Sequence, residues 1–435
     1  MSIGDRYFDR VSLIYGFAHF GKSLFWYASE ILFAYYFSEV AGLSTRAMGW
    51  TLALGFAIGA LADIGVAKSF SAHFSDARSA ARLQVLGSVF SSVSLFGLFA
   101  SAFVPEFLRV GYVLVIGMAF RIAYAAYDLP QNALLSLGTR NTKARSLVSA
   151  ARAFYSGCAA LIVGGVGGAL VIAQGPTSAA VRFAVVAALF SLVAIATSFG
   201  LSRLEWTPPF IGDFGAAELT IVDPKGQSLP PQLVGLLFFS IMQILTGSFF
   251  TRLEPYFGAY ALRSGAWAGS FMIAISFGRI VSQPIWVGIS IVLGPIRLLR
   301  WVTLASAAAA LGFWFTASIP PGVVAMAFLI GAATGGVGMA QWAAYGDAVA
   351  KHCRDGAGLA YAVLTAAMKL SLGVGVIAIG EGLNHIDYRG GQSSLLAMLM
   401  GIVPAIGGVL GVFFLPRGTP RGPSARPDSL SVQSE

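Results

Sequence analysis

Apolar residues come along this chain in about twelve long blocks, each close to the roughly 20 residues that an α-helix needs to cross a hydrocarbon core. The blocks begin near Leu13, Met48, Leu83, Leu108, Leu147, Ala179, Leu233, Ala266, Ile296, Val323, Leu359 and Leu395. Short polar turns separate them, so the pattern predicts an all-α membrane protein. The longest polar interruption covers residues 204–232 and contains Pro208, Pro209, Pro224, Pro230 and Pro231. Proline lacks the amide donor and breaks helices. The chain therefore divides into an N-terminal six-helix half over 1–203, a cytoplasmic linker over 204–232 and a C-terminal six-helix half over 233–416. The stretch 417–435, rich in Pro, Ser and Arg, reads as a disordered cytoplasmic tail.

Loop charges set the orientation, because Lys and Arg gather on the cytoplasmic side. One side carries Arg6, Arg10, Arg78, Arg82, Arg140, Lys143, Arg145, Arg203, Lys225, Arg297, Arg300, Lys351, Arg354, Arg417, Arg421 and Arg426. The other carries only Arg46, Arg109, Arg182, Arg263 and Arg389. Both termini are expected in the cytoplasm, in a multi-pass protein of the cell inner membrane. Met1 to Arg10 is polar and the first block is too long for a signal core, so it reads as a retained first helix.

Composition agrees. The chain is 57% hydrophobic and 11% charged, with a mean hydropathy of +0.76, against about 25% charged in soluble domains. Its 52 glycines suit close helix packing in lipid. The net charge of +9 does not point to nucleic acid, since the basic residues flank apolar blocks. Cys158 and Cys353 are not expected to meet, and no metal-ligand spacing or cofactor motif is present. No GxxxxGK[ST] loop, GxSxG elbow or HExxH pair occurs, so neither an ATPase nor an intramembrane enzyme is expected.

What changes the picture is charge inside the apolar blocks. Lys22, Asp63, Arg121, Asp128, Arg152, Arg279 and Lys369 all lie there. Each costs roughly 2.5–3.5 kcal/mol at bilayer depth, so such residues usually face a partner or a watery cavity. Asp63 and Gly59 share a helix face. Two carboxylates on that face would suit a metal cation. One carboxylate beside a lysine suits proton exchange, since burial penalises both charged forms. Coupling to protons through Asp63 and Asp128, with Lys369 as counter-charge, is the expectation. The alternative is a buried ion pair that simply holds helices together.

The central cations Lys22, Arg121, Arg152, Arg279 and Lys369 outnumber Asp63 and Asp128, which suggests an anionic solute, because the arginine fork matches carboxylate and phosphate. The alternative is that Glu30, Glu254, Glu381 or backbone carbonyls satisfy them. Trp26, Tyr27, Tyr124 and Trp342 are candidate walls for a sugar, although Trp and Tyr also favour the membrane interface. His19 could relay protons or simply be hydrogen-bonded.

Three segments carry a resemblance. The first block reads YGFAHFGKSLFWYASEILFAYYFSEVAGLS from Tyr15 to Ser44. YDLPQNALLSL follows at Tyr127, with KARSLVSAARAF ending at Phe154. AYGDAVAKHCRDGAGLAYAVLTAAMK runs from Ala344 to Lys369. In order and over most of the chain, this resembles the glycoside–pentoside–hexuronide:cation symporters, the melibiose-permease-like family of the major facilitator superfamily. The resemblance implies a cavity between two halves and alternating access by rocking. It matches Lys22 to the family's first-helix lysine, Tyr124 and Asp128 to its fourth-helix Tyr and Asp, and Arg152 to its fifth-helix arginine. Lys369 matches the eleventh-helix lysine near the coupling ion, and Asp63 the second of two second-helix aspartates. In GRIVSQPIW, Arg279 echoes on the eighth span a pattern that the family carries on its second. The loops holding Arg145 and Arg354 correspond to those that shape the cytoplasmic gate.

The departures matter as much. Ser23 stands where the pattern has a sugar-binding aspartate, Gly59 where it has the first second-helix aspartate, Ala125 where a threonine helps hold sodium, and Asn132 where a tryptophan stacks on sugar. The expected function is therefore a secondary symporter of a glycoside or an anionic sugar-like solute, driven by H+ rather than Na+, with a degenerate sodium site. A monomer in contact with membrane lipid is expected. A lysolipid transporter or flippase, or a non-transporting sensor on the same fold, are the alternatives.

Overall fold

A computed structural model describes residues 3–70, 77–137, 142–170, 176–204, 230–352, 357–390 and 392–416, with the side chains of 3–10, 12, 67–68, 133, 135–153, 176–177, 291, 346–347 and 349–362 outside that description. The described residues form helices and no strands. These are α1 (Ile3–Tyr27), α2 (Thr45–Ser69), α3 (Ala77–Phe99), α4 (Glu106–Leu137), α5 (Thr142–Leu170), α6 (Pro176–Ser202) and α7 (Pro231–Phe257). Then come α8 (Gly265–Val281), α9 (Gln283–Leu293), α10 (Pro295–Phe315), α11 (Pro320–His352), α12 (Ala357–His385) and α13 (Ser394–Phe414). Among the described residues, ten helices are long and apolar enough to cross a membrane. Large apolar side chains such as Phe107, Leu192, Trp301 and Phe413 stand exposed on them, a surface that belongs in lipid rather than water.

The eighth apolar block splits into α8 and α9 at Ser282, one residue before Gln283 and Pro284. Pro284 has no amide hydrogen to continue the ladder. Neighbouring α11 is fastened beside the break: Ser282 Oγ donates to Ala332 O at 3.2 Å, and Trp286 Nε1 donates to the same oxygen at 2.8 Å.

The first block is likewise not one uniform helix. After α1 come a π-turn over Ala28–Leu32, a short α turn over Phe33–Tyr35 and a second π-turn over Tyr36–Val40. Each π-turn contains an acid, Glu30 in the first and Glu39 in the second. A π-turn inserts a residue and re-aims the side chains around it, and such turns recur at functional sites. α7 ends in a third, Gly258–Leu262.

In the first six helices, α3 packs on α4 and α6, α1 on α5 and α6, and α2 on α4. In the later set, α11 packs on α8 and α10, and α13 on α7 and α10. Two long seams, α2 with α12 and α5 with α8, join the sets. Small residues make the seams close. A Cβ on Gly380 would collide with Thr45 O, and one on Gly168 with the Gly269 backbone. The linker expected over 204–232 lies, apart from its ends, outside the described residues, as does the tail 417–435.

α8 and α11 are tighter still, and a Cβ on Gly331 would run into the Ile275 carbonyl. Backbone cannot swing aside as a side chain can. Gly331→Ala is expected to cost roughly 1–3 kcal/mol, read as a lowered unfolding temperature of the purified protein in detergent. Gly200→Ala on α6, where a Cβ meets nothing within 4 Å, should leave that temperature unchanged or slightly raised.

Candidate functional site

The in-span charges converge on a cavity of about 30 Å³ lined by Trp26, Phe56, Gly59, Asp63, Arg121, Tyr124, Ala125, Asp128 and Lys369. Helices α1, α2, α4 and α12 supply these residues. Lys22 Nζ donates to Asp128 Oδ1 at 2.5 Å and to Asn132 Oδ1 at 3.1 Å. Asn132, one turn along α4, donates Nδ2 to Asp128 Oδ2 at 2.9 Å. Asp128 is thus held on both oxygens. Across the α2–α12 seam, Lys369 Nζ forms an ion pair with Asp63 and lies 3.5 Å from Gly59 O.

The aliphatic stem of Arg121 runs past Gly59, where a Cβ would meet Arg121 Cδ at 3.6 Å and Cβ at 3.7 Å, ordinary contact distances. The guanidinium then rests on Phe56, with its carbon 4.2 Å from the ring centroid. Trp26 and Tyr124, with ring centroids 6.3 Å apart, complete an aromatic wall.

A second cavity, about 240 Å³, opens beside Glu30, Gln243, Glu254, Arg279, Thr334 and Gln341. Gln341 is fixed by donating to Ser240 Oγ at 2.8 Å. Between the two cavities sits a buried pair, Arg252 Nη2 to Glu30 Oε2 at 3.1 Å. The Arg252 guanidinium carbon is also 5.1 Å from the Phe56 centroid.

The structure therefore brings together Lys22, Asp63, Arg121, Tyr124, Asp128, Asn132 and Lys369, and places Arg279 in the second cavity. Ser23 is buried away from the lining and donates to Ser156 Oγ at 3.3 Å. Tyr27 is half-buried and outside both linings, and Trp342 is 46% exposed beside the cavity that Gln341 lines. His19 is buried and hydrogen-bonded to Gln131 Oε1 at 3.1 Å. The side chains of Arg152, Arg145 and Arg354 lie outside the described residues. Glu30 and Glu254 oppose the central arginines, so the cation excess read from Asp63 and Asp128 alone shrinks once the geometry is known.

A third cluster sits at the end of the bundle that loop charges assign to the outside. Glu39, 5% exposed at its side chain, accepts from Arg389 Nε at 3.0 Å and Nη2 at 2.9 Å, and from Tyr388 Oη at 2.6 Å. Tyr260 donates to its Oε2 and Ser38 to its Oε1 at 2.9 Å. Ser38 and Tyr256 hydroxyls are 2.6 Å apart. One carboxylate thus ties the first block to the end of α7 and to the α12–α13 loop. Nearby, Arg46 and Glu381 form a two-pronged pair at 2.7 and 2.9 Å across the α2–α12 seam. Sequence reasoning treated Arg46 and Arg389 only as topology markers. The available signal was Glu39 itself, an acid at the mouth of an aromatic block facing a side whose basic residues are few.

Among solved structures, the fold is similar to that of a D-xylose–proton symporter, with 15% identity, a TM-score of 0.67, and coverage of 94% of this chain and 98% of that one. It is also similar to the nucleoside transporter NupG, with 11% identity, a TM-score of 0.67, and coverage of 93% and 98%. At such identities the likeness establishes the fold, that of major-facilitator transporters. No curated protein sequence matches this one. The family model for MFS/sugar transport proteins matches residues 14–419, so this multi-pass membrane protein belongs to that transporter family.

Proposed function

We propose that the chain is a proton-coupled symporter of a small, sugar-like polar solute. The observation that carries this reading is the pair of lysine–aspartate contacts around one cavity, Lys22–Asp128 and Lys369–Asp63, the second of which crosses a seam between the early and late helices. A proton that neutralises Asp63 weakens its hold on Lys369. Protonation is thereby linked to the contact between α2 and α12, the link that alternating access needs. Each carboxylate already serves a lysine. Few oxygens are left for a metal cation that wants about six ligands, which supports H+ over Na+.

Solute size and character follow from the second cavity. At about 240 Å³ it falls below the roughly 300–1,000 Å³ usual for drug-sized ligands, so it suits a solute of monosaccharide size. Its lining mixes apolar side chains such as Phe250, Ile275 and Leu372 with Gln243, Glu254, Arg279 and Gln341, which can hold the hydroxyls of a small solute. The excess of Lys and Arg on one set of loops supports cytoplasmic termini and an inner-membrane location.

Reconstitution into liposomes tests the proposal. Uptake of radiolabelled xylose, glucose and glucuronate is followed under an imposed pH gradient or an imposed sodium gradient. Accumulation under the pH gradient alone is expected for at least one of them. Accumulation that needs sodium would overturn the choice of ion, and binding without accumulation under either gradient would overturn coupling and favour a sensor.

A further inference from the structure

Two buried arginines share one aromatic ring, and three of their six guanidinium nitrogens are buried without a partner. Arg252 is fully buried; its Nη2 reaches Glu30, whereas Nε and Nη1 have no partner. Arg121, 7% exposed and lining the first cavity, has Nη2 buried without a partner. The spare oxygen of Glu30, Oε1, also has none. Phe56 lies under both guanidinium groups. Contact with a ring occupies a guanidinium's face and leaves its N–H edges pointing outward. Buried donors without acceptors are rare in folded proteins, and several in one place mark a site that something else completes.

Charge identifies what completes it. Lys22 is balanced by Asp128, Lys369 by Asp63 and Arg252 by Glu30. Arg279 and Glu254 share the second cavity. Among the described side chains at this depth, Arg121 is left over, one positive charge in a low-dielectric setting where an uncompensated charge is costly. A single negative charge neutralises the set. A phosphomonoester, at about −1.5 to −2 near neutral pH, would exceed it. Planar N–H forks match a planar carboxylate in two-point geometry.

We infer that Arg121 and Arg252, held on Phe56, form a subsite for the carboxylate of a small organic monoanion. The inference rests on the transport reading and names the class of solute that the same site takes. Glu30 is then the resident competitor. It holds Arg252 when the subsite is empty, and its free oxygen repels an incoming carboxylate until the guanidinium groups share the charge. Hydroxyls of the solute would extend toward Glu30 and the amides of the second cavity.

Binding to the purified full chain is measured by calorimetry with matched probes: D-gluconate against D-glucitol, D-glucuronate against D-glucose, and D-glucose 6-phosphate as the dianion. At least one acid should bind more tightly than its neutral partner and more tightly than the phosphate ester. Arg121→Gln should weaken that acid by about tenfold or more, and by much more than it weakens the neutral partner. Arg121→Lys, which keeps the charge and loses the fork, should fall between. Glu30→Gln should strengthen acid binding several-fold, an outcome that a merely structural role would not give. Size-exclusion profiles identify any variant that fails to fold, and Arg121→Lys then carries the test. Equal binding of acids and neutral sugars, tightest binding of the phosphate ester, or an acid affinity within about twofold of wild type in Arg121→Gln would overturn the subsite. Acid binding that depends on Arg121 without gradient-driven uptake would leave the subsite standing and sink the symport reading. Accumulation of neutral sugars alone would do the reverse.

Discussion

Asp63→Asn is expected to abolish accumulation driven by a pH gradient while leaving solute exchange across liposomes near the wild-type rate. The amide cannot bind and release the proton, so the step that depends on proton occupancy is lost. The moving parts that carry solute in either direction remain. Uphill accumulation should fall to the level of simple equilibration, a loss of at least about tenfold in the final concentration ratio. The obvious confusion is structural. Lys369 keeps its charge in this variant and loses its acid, and removing one partner of a buried pair costs roughly 3–5 kcal/mol. Both side chains are about three-quarters buried, so some destabilisation is expected.

The double variant Asp63→Asn with Lys369→Met separates the two roles. Replacing a buried pair by neutral groups of similar size is often close to neutral for stability. If the pair couples protons to transport, the double variant recovers its melting temperature and still fails to accumulate solute. If the pair only braces α2 against α12, it recovers both. Unchanged accumulation in the single variant would sink the assignment outright.

Which parts of this arrangement could be read from sequence depends on how local their causes are. Apolar block length is a local property, and the helix positions follow it closely. The break at Ser282 was legible for the same reason, because Pro284 acts on its own helix. Asp63, Asp128, Lys22 and Lys369 could be picked out because charge inside an apolar block is conspicuous. What could not be read is pairing. That Lys22 serves Asp128 rather than Asp63 depends on the crossing of α1 over α4. Arg252 also lies inside an apolar block, but its pairing with Glu30 becomes visible only when the first π-turn is set against α7. Trp342 shows the opposite failure. A neighbour of a site residue along a helix points about 100° away, so Gln341 faces the cavity and Trp342 does not.

Glu39→Ala is expected to unfasten the end of the bundle around the α12–α13 loop. One carboxylate takes five donor contacts there, from Ser38, Tyr260, Tyr388 and two nitrogens of Arg389. Alanine leaves two tyrosine hydroxyls and a guanidinium facing one another without an acceptor in the closed form, whereas opening hydrates them. Hydrogen bonds to a charged group contribute about 1.5–3 kcal/mol each when they cannot be replaced by water. Because the cluster lies at the surface, a total on the order of 2–3 kcal/mol is a fair estimate. This corresponds to a shift of roughly 30- to 150-fold toward the open end.

Spin labels on Ser44→Cys and Gly265→Cys, both exposed at this end, report it in a background with Cys158 and Cys353 replaced by Ser. The wild type should give one short distance by pulsed dipolar spectroscopy, and Glu39→Ala a second, longer population. A single unchanged distance in the variant would show that the cluster fastens nothing. The latch should also be indifferent to alkaline pH. Hydrogen bonding to Glu39 raises the pKa of Arg389, and burial followed by the charge of Glu39 raises that of Tyr388. The contribution of a raised basic group is full below its free value and is lost only as pH climbs through the raised one. The tyrosine likewise stays a neutral donor beyond its usual value of about 10. The short-distance population should therefore hold constant from neutral pH to the edge of protein stability. Under the proposed coupling, a latch fixed in pH leaves the central carboxylates alone to decide when the bundle opens.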